Sequence, residues 1–140
     1  MLYQLYFYLW YGLSITINTS PNINVHEYFP FKEGSKIVKY DSKTLKFTED
    51  LPIIDGAAAL FPVYSAFVNA TYPDTTELRY DGPFQDNNTP DGYKLLAEKQ
   101  TDIFIGVYPS DEQKAYAEEC NTTFEYTPIG SEGFVFFVHK

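Results

Sequence analysis

The most constraining feature is an apolar run with no alternation, Leu51-Pro52-Ile53-Ile54, halted by Asp55-Gly56 and followed by a change of period. Short continuous apolar runs suit strands covered on both faces, as in parallel sheets. After Gly56 the sequence AAALFPVYSAFVNATY places Leu60, Tyr64, Phe67 and Val68 at i, i+4, i+7 and i+8, one helical stripe. Pro62 falls in the first turn of that helix, where its missing N–H costs little. A second run, Asp102 to Val107, repeats the strand signal.

The rest of the pattern fits between and around these runs. Lys36–Phe47 carries strand formers on both sides of the polar turn Asp41-Ser42-Lys43, and Glu77–Tyr80 reads as a short strand. Thr89 and Pro90 read as the N-cap and first residue of a helix whose apolar side is Tyr93, Leu96 and Ala97. Ser110 and Gln113 form a capping box opening a helix to about Glu119. Phe124–Tyr126 and the apolar run Phe134–Val138 predict further strands. The implied fold class is α/β, a mainly parallel sheet with flanking helices.

Composition narrows the function classes. Among 140 residues the net charge is −9, which disfavours phosphodiester backbones and anionic lipid. The one cysteine, Cys120, forms no internal disulfide and supplies no cysteine-rich metal site. With two histidines, His26 and His139, and no GxSxG, HExxH, GxxxxGK[ST] or GxGxxG pattern, the expectation is a protein that is not an enzyme and uses no cofactor or metal.

Residues 1–25 stand apart: they hold no charged side chain, and six of the first twelve are aromatic. They lack the basic start of a secretory signal and the ~20 apolar residues of a full span. Two readings stand. One is the remnant of a membrane segment with its linker, NTSPNIN, giving membrane attachment; the other is a strand or hairpin. Residues 26–140 form the second unit.

Chemistry is expected where strands hand over to helices, because ligands of open α/β sheets bind at the strands' carboxyl ends. At Asp55-Gly56-Ala57-Ala58, small side chains leave first-turn amides open to an anion, or else simply let a corner pack closely. Asp55 either caps the helix or accepts a proton from a protonated oxyanion such as hydrogen phosphate. Tyr108 and Ser110 at a second corner and Thr89 at a third offer hydroxyls and amides, with ordinary capping as the plain alternative. Four asparagines, Asn18, Asn69, Asn87 and Asn121, match the glycosylation pattern, which in the sequence alone reads as coincidence.

Taken in order, Asn24–Tyr28, Leu51–Ala57, Leu60–Phe67, Asp102–Gly106 and Thr127–Gly130 with Phe134–Val138 resemble the phosphate-binding, type II periplasmic-binding-protein-like domains of bacterial ABC transporters. The likeness covers about Ile23 to Lys140. It implies a first lobe of a two-lobed, extracytoplasmic solute-binding domain at the cell surface. Such a domain closes on phosphate or a similar oxyanion and serves an ABC transporter permease, with no chemical conversion; the net charge of −9 separately argues against a nucleic-acid partner. Ala58 stands where the family usually has Thr or Ser, and Ser131 where an arginine is frequent. Losing that hydroxyl removes a hydrogen bond worth about 0.5–1.5 kcal/mol, which favours the alternative of a ligand-less sensor or interaction domain. The sequence ends near the family's crossover to its second lobe, so the expectation is a truncated lobe that alone binds phosphate weakly or not at all.

Overall fold

The computed structural model describes residues 24–40 and 45–131. The expected features within 1–23, the turn at 41–44 and the run Phe134–Val138 lie outside the described residues.

Two strands, β1 (Ile54–Gly56) and β2 (Ile103–Ile105), pair in parallel with Ile54 opposite Ile103 and Gly56 opposite Ile105. Among the described residues there are three helices, α1 (Phe61–Thr71), α2 (Asn88–Ala97) and α3 (Asp111–Glu119); α1 and α2 pack on the strands and α3 packs on α2. Single 3₁₀ turns occupy Val25–Tyr28 and Ala58–Leu60. The architecture is α/β with a small parallel sheet and flanking helices.

β1 is central. On its other side Ile54 bridges Phe84 in the parallel sense, with Ile54 N–H donating to Pro83 O and Gln85 N–H to Ile54 O, both at 2.9 Å. Ile54, Asp55 and Gly56 are all buried there, while Leu51, Pro52 and Ile53 of the apolar run lead into the strand and are half-buried.

The core gathers Ile54, Phe61, Tyr64, Val68, Tyr72, Phe84 and Ile105. Its centre is aromatic: Phe61 lies 5.2 Å from Tyr64 and 5.6 Å from Phe84, ring centre to ring centre. Edge and tilted contacts of this kind add to the area each ring buries. The buried face of α1 is Phe61, Tyr64, Ser65 and Val68, so the expected stripe is rotated: Leu60 is half-buried and Phe67 is 44% exposed. The rotation arises because Ala58–Leu60 forms a 3₁₀ turn and α1 begins only at Phe61, which makes Phe61 the anchor of the face.

Several expected strands are not formed. Residues 36–40 and 45–47 carry no strand; Phe47 N–H instead donates to Thr71 O at 2.8 Å, and its ring meets Tyr72 at the end of α1. Glu77–Tyr80 reduces to one bridge, Leu78 to Phe84. Phe124–Tyr126 is also irregular, with the Phe124 ring 5.6 Å from Tyr93 on α2. Ile37, Phe47, Leu78 and Phe124 are covered without a strand ladder, so strand propensity is overridden there, while Val38, Tyr40, Tyr80 and Tyr126 are left exposed.

Candidate functional site

The parallel pairing brings the carboxyl ends of β1, of the Phe84 segment and of β2 to one side of the sheet, and the turn into a helix follows each. Asp55 joins two of these corners. It is fully buried; its Oδ1 accepts from Gly56 N–H at 2.8 Å and Asn87 N–H at 3.0 Å, and its Oδ2 accepts from Asn87 Nδ2 at 3.1 Å. A buried carboxylate persists only when its oxygens are hydrogen-bonded. Asp55 therefore fastens the entry of α2 to the end of β1. It does not cap the following helix, whose N-cap positions Ala57 and Leu60 receive no side-chain bond.

Further polar groups extend this tie. Asn87 Nδ2 also donates to Gln85 Oε1 at 2.8 Å, and Gln85 Nε2 donates to Gly82 O at 2.9 Å. Tyr64 hydroxyl donates to Asp86 Oδ1 at 2.9 Å. Burial pushes the Asp86 carboxyl above its ordinary range; the Tyr64 bond opposes this and the Asp55 charge adds to it. Burial, followed by the charge of Asp86, raises the Tyr64 phenol far above its usual value.

Two glycines allow the close approach. A Cβ on Gly56 would stand 2.6 Å from the Tyr64 ring and 2.8 Å from Ile105 O. A Cβ on Gly92, in α2, would overlap the Phe104 ring and stand 3.2 Å from Asp55 Oδ2. The helix thus seats directly over the strand ends.

Not all of the expected amides face outward. Gly56 N–H is held by Asp55, and Ala57 N–H donates to Ile105 O at 2.9 Å. Ala58 and Ala59 are exposed, and among the described residues neither amide has an acceptor. Thr89 is half-buried in the first turn of α2 and is not its N-cap. The helix starts earlier because Asn88, in a left-handed conformation at φ 64°, accepts from Asp91 N–H at 3.3 Å.

The third corner is closed on itself. Ser110 hydroxyl accepts from Gln113 N–H at 3.2 Å, while Ser110 N–H donates to Gln113 Oε1 at 2.9 Å, the expected capping box. Asp111 and Glu112 then place two carboxylates in the first turn of α3, where the helix dipole favours them and an added anion would be repelled. Tyr108 is 72% exposed with its ring 5.5 Å from that of Tyr126.

The residues that sequence reasoning missed are Asp86, Asn87 and Tyr64. Asn87 lies 32 positions from Asp55 and carries no motif that links the two. A separate half-open groove of about 960 Å³ runs along β2, lined by Phe47, Phe67, Tyr72, Ile103, Phe124 and Ile129 among others. None of Asp55, Gly56, Ala57, Ala58, Thr89, Tyr108 and Ser110 lines it. Among the described residues no cluster of His, Cys, Asp and Glu could hold a metal ion, and no helix is long and apolar enough to cross a membrane.

Compared with family models, curated proteins and solved structures, the chain matches none.

Proposed function

We propose that the described region is one lobe of an extracytoplasmic solute-binding domain. It holds phosphate or a similar oxyanion without converting it, in the service of an ABC-type permease. The observation that carries this reading is the Asp55–Asn87 tie, which sets the entry of α2 beside the end of β1 while the Ala58 and Ala59 amides remain open. Amides at a helix start carry partial positive charge and approach an anion closely when the side chains are small. The site is therefore centred on Ala58 and Ala59, with Thr89 at its margin. Gly56 and Ala57 supply shape and Asp55 supplies position.

A second reading, a ligand-less sensor or interaction domain, is favoured by the Gly56, Ala57 and Ser110 amides all being held internally. A titration of the isotope-labelled chain with inorganic phosphate and then sulfate, followed by amide NMR, separates the two. Saturable shifts at Ala58, Ala59 and Thr89 support the anion site. Even the weak binding expected of one lobe alone shifts these amides at high millimolar phosphate, so their silence there overturns the anion site in favour of the ligand-less domain.

A further inference from the structure

The four glycosylation-pattern asparagines are not equivalent once folded. Transfer requires a free Asn side-chain amide and a reachable hydroxyl two residues later, at a surface that accepts a bulky sugar. Asn18 lies outside the described residues. Asn69 is half-buried on α1, its Oδ1 accepting from Phe31 N–H at 2.9 Å, and Thr71 hydroxyl is turned back to Phe67 O at 2.7 Å. Asn87 Nδ2 is committed to Asp55 and Gln85. A sugar on that nitrogen would break the tie between β1 and α2.

Asn121 differs in every respect. It is exposed, directly follows α3 and takes a left-handed conformation at φ 54°, which turns it out of the helix. Its backbone N–H donates to Glu118 O at 2.9 Å, and Thr122 hydroxyl donates to Ala97 O at 2.7 Å, so the turn is anchored through its backbone and its neighbour. The Asn121 side chain makes no hydrogen bond among the described residues, and Thr123, which carries the required hydroxyl, is exposed. Glu119 lies two residues ahead, the acidic position that one class of oligosaccharyltransferases requires; Thr16, Phe67 and Gln85 stand there in the other three.

We propose that Asn121 is the acceptor of an N-linked oligosaccharide on the folded protein. In the transfer, Asn121 Nδ2 bonds to the anomeric carbon of a lipid-pyrophosphate-linked oligosaccharide. The C–O bond to the pyrophosphate breaks, the lipid pyrophosphate leaves, and the amide gives up one proton to the enzyme's base. α3 has nine residues and so is about 13–14 Å long, which sets the sugar a helix length from Ser110. Encounter with the transferase in a cell rests on the extracytoplasmic placement proposed above, whereas acceptor competence does not depend on anion binding.

The test is incubation of the purified, folded 140-residue chain with an acid-requiring oligosaccharyltransferase and its lipid-linked donor, read by intact mass and peptide mapping. The expected result is a gain of one oligosaccharide mass, mapped to Asn121 and lost in both Asn121→Gln and Thr123→Ala, with the circular dichroism spectrum unchanged by modification. No transfer to the folded chain, or transfer only at Asn18, Asn69 or Asn87, overturns the proposal.

Discussion

Replacing Asp55 by alanine removes the one acceptor shared by two corners of the sheet. Its carboxylate receives two bonds from Asn87, one from the backbone and one from the side chain, and a local one from Gly56. Hydrogen bonds to a charged group contribute about 1.5–3 kcal/mol each, and each buried donor left without a partner costs about 1–3 kcal/mol. Relief of a desolvated charge offsets part of that loss. The net expectation for Asp55→Ala is a destabilisation of about 3–5 kcal/mol, a large fraction of the ~5–15 kcal/mol of a typical domain. With a urea slope of about 2 kcal/mol/M, the midpoint should fall by roughly 1.5–2.5 M, followed by far-ultraviolet circular dichroism. Asp55→Asn keeps an oxygen for the two backbone donors but turns an amide nitrogen toward Asn87 Nδ2, so an intermediate loss of about 1–3 kcal/mol is expected. If Asp55→Ala unfolds within about 0.5 kcal/mol of the parent, the usual range for unimportant surface changes, the tie does not exist in solution.

Three further outcomes follow from the same geometry. Because the folded-state pKa of Asp86 is raised by burial, the native chain binds its proton more readily than the unfolded chain, and stability contributed there is lost as pH rises through the raised value. Asp86→Asn, which keeps an oxygen for Tyr64, should therefore match or exceed the parent at neutral pH and lose that advantage in acid below the ordinary carboxyl range; an advantage that grows toward low pH would contradict this. Tyr72 is pushed up to about 12 by burial first and the Asp102 charge second, and Tyr64 is raised further, so stability should fall as pH climbs from the ordinary phenol value near 10. Ultraviolet titration should then show tyrosines that ionise only on unfolding. Ser110→Ala opens the capping box of α3 and should cost about 1 kcal/mol in denaturant unfolding, within a range of ~0.5–2.

What the sequence made legible was local. Ser110 and Gln113 are three positions apart, so the capping box is written in adjacent residues, and the helix they open ends at Glu119 as expected. Pro62 likewise marks the first turn of α1. The run Leu51–Ile54 announced a buried parallel strand, but the ladder lies three residues later, at Ile54–Gly56, because β2 pairs there. Propensity alone misplaced 36–40, 45–47 and Phe124–Tyr126, where Phe47 packs on Tyr72 at the end of α1 and Phe124 on Tyr93 of α2 instead of pairing in a ladder. At the site, the small residues after Asp55 pointed to the right corner, yet the role of Asp55 was hidden. Its partner Asn87 is fixed by the bridge between Ile54 and Phe84, a contact between segments 30 positions apart that no short-range pattern encodes.

The open amide of Ala58 is the point on which the functional account turns. Ala57 is extended, at φ −65° and ψ 133°, which a following proline favours. Ala58→Pro therefore deletes that one N–H while removing none of the hydrogen bonds of the corner. Stability should change by less than about 1 kcal/mol. Titrating parent and variant with inorganic phosphate, side by side, is the most direct test. The account predicts that the saturable response at Ala59 and Thr89 in the parent is lost or weakened at least tenfold in the variant. An equal response in both proteins would place the anion elsewhere.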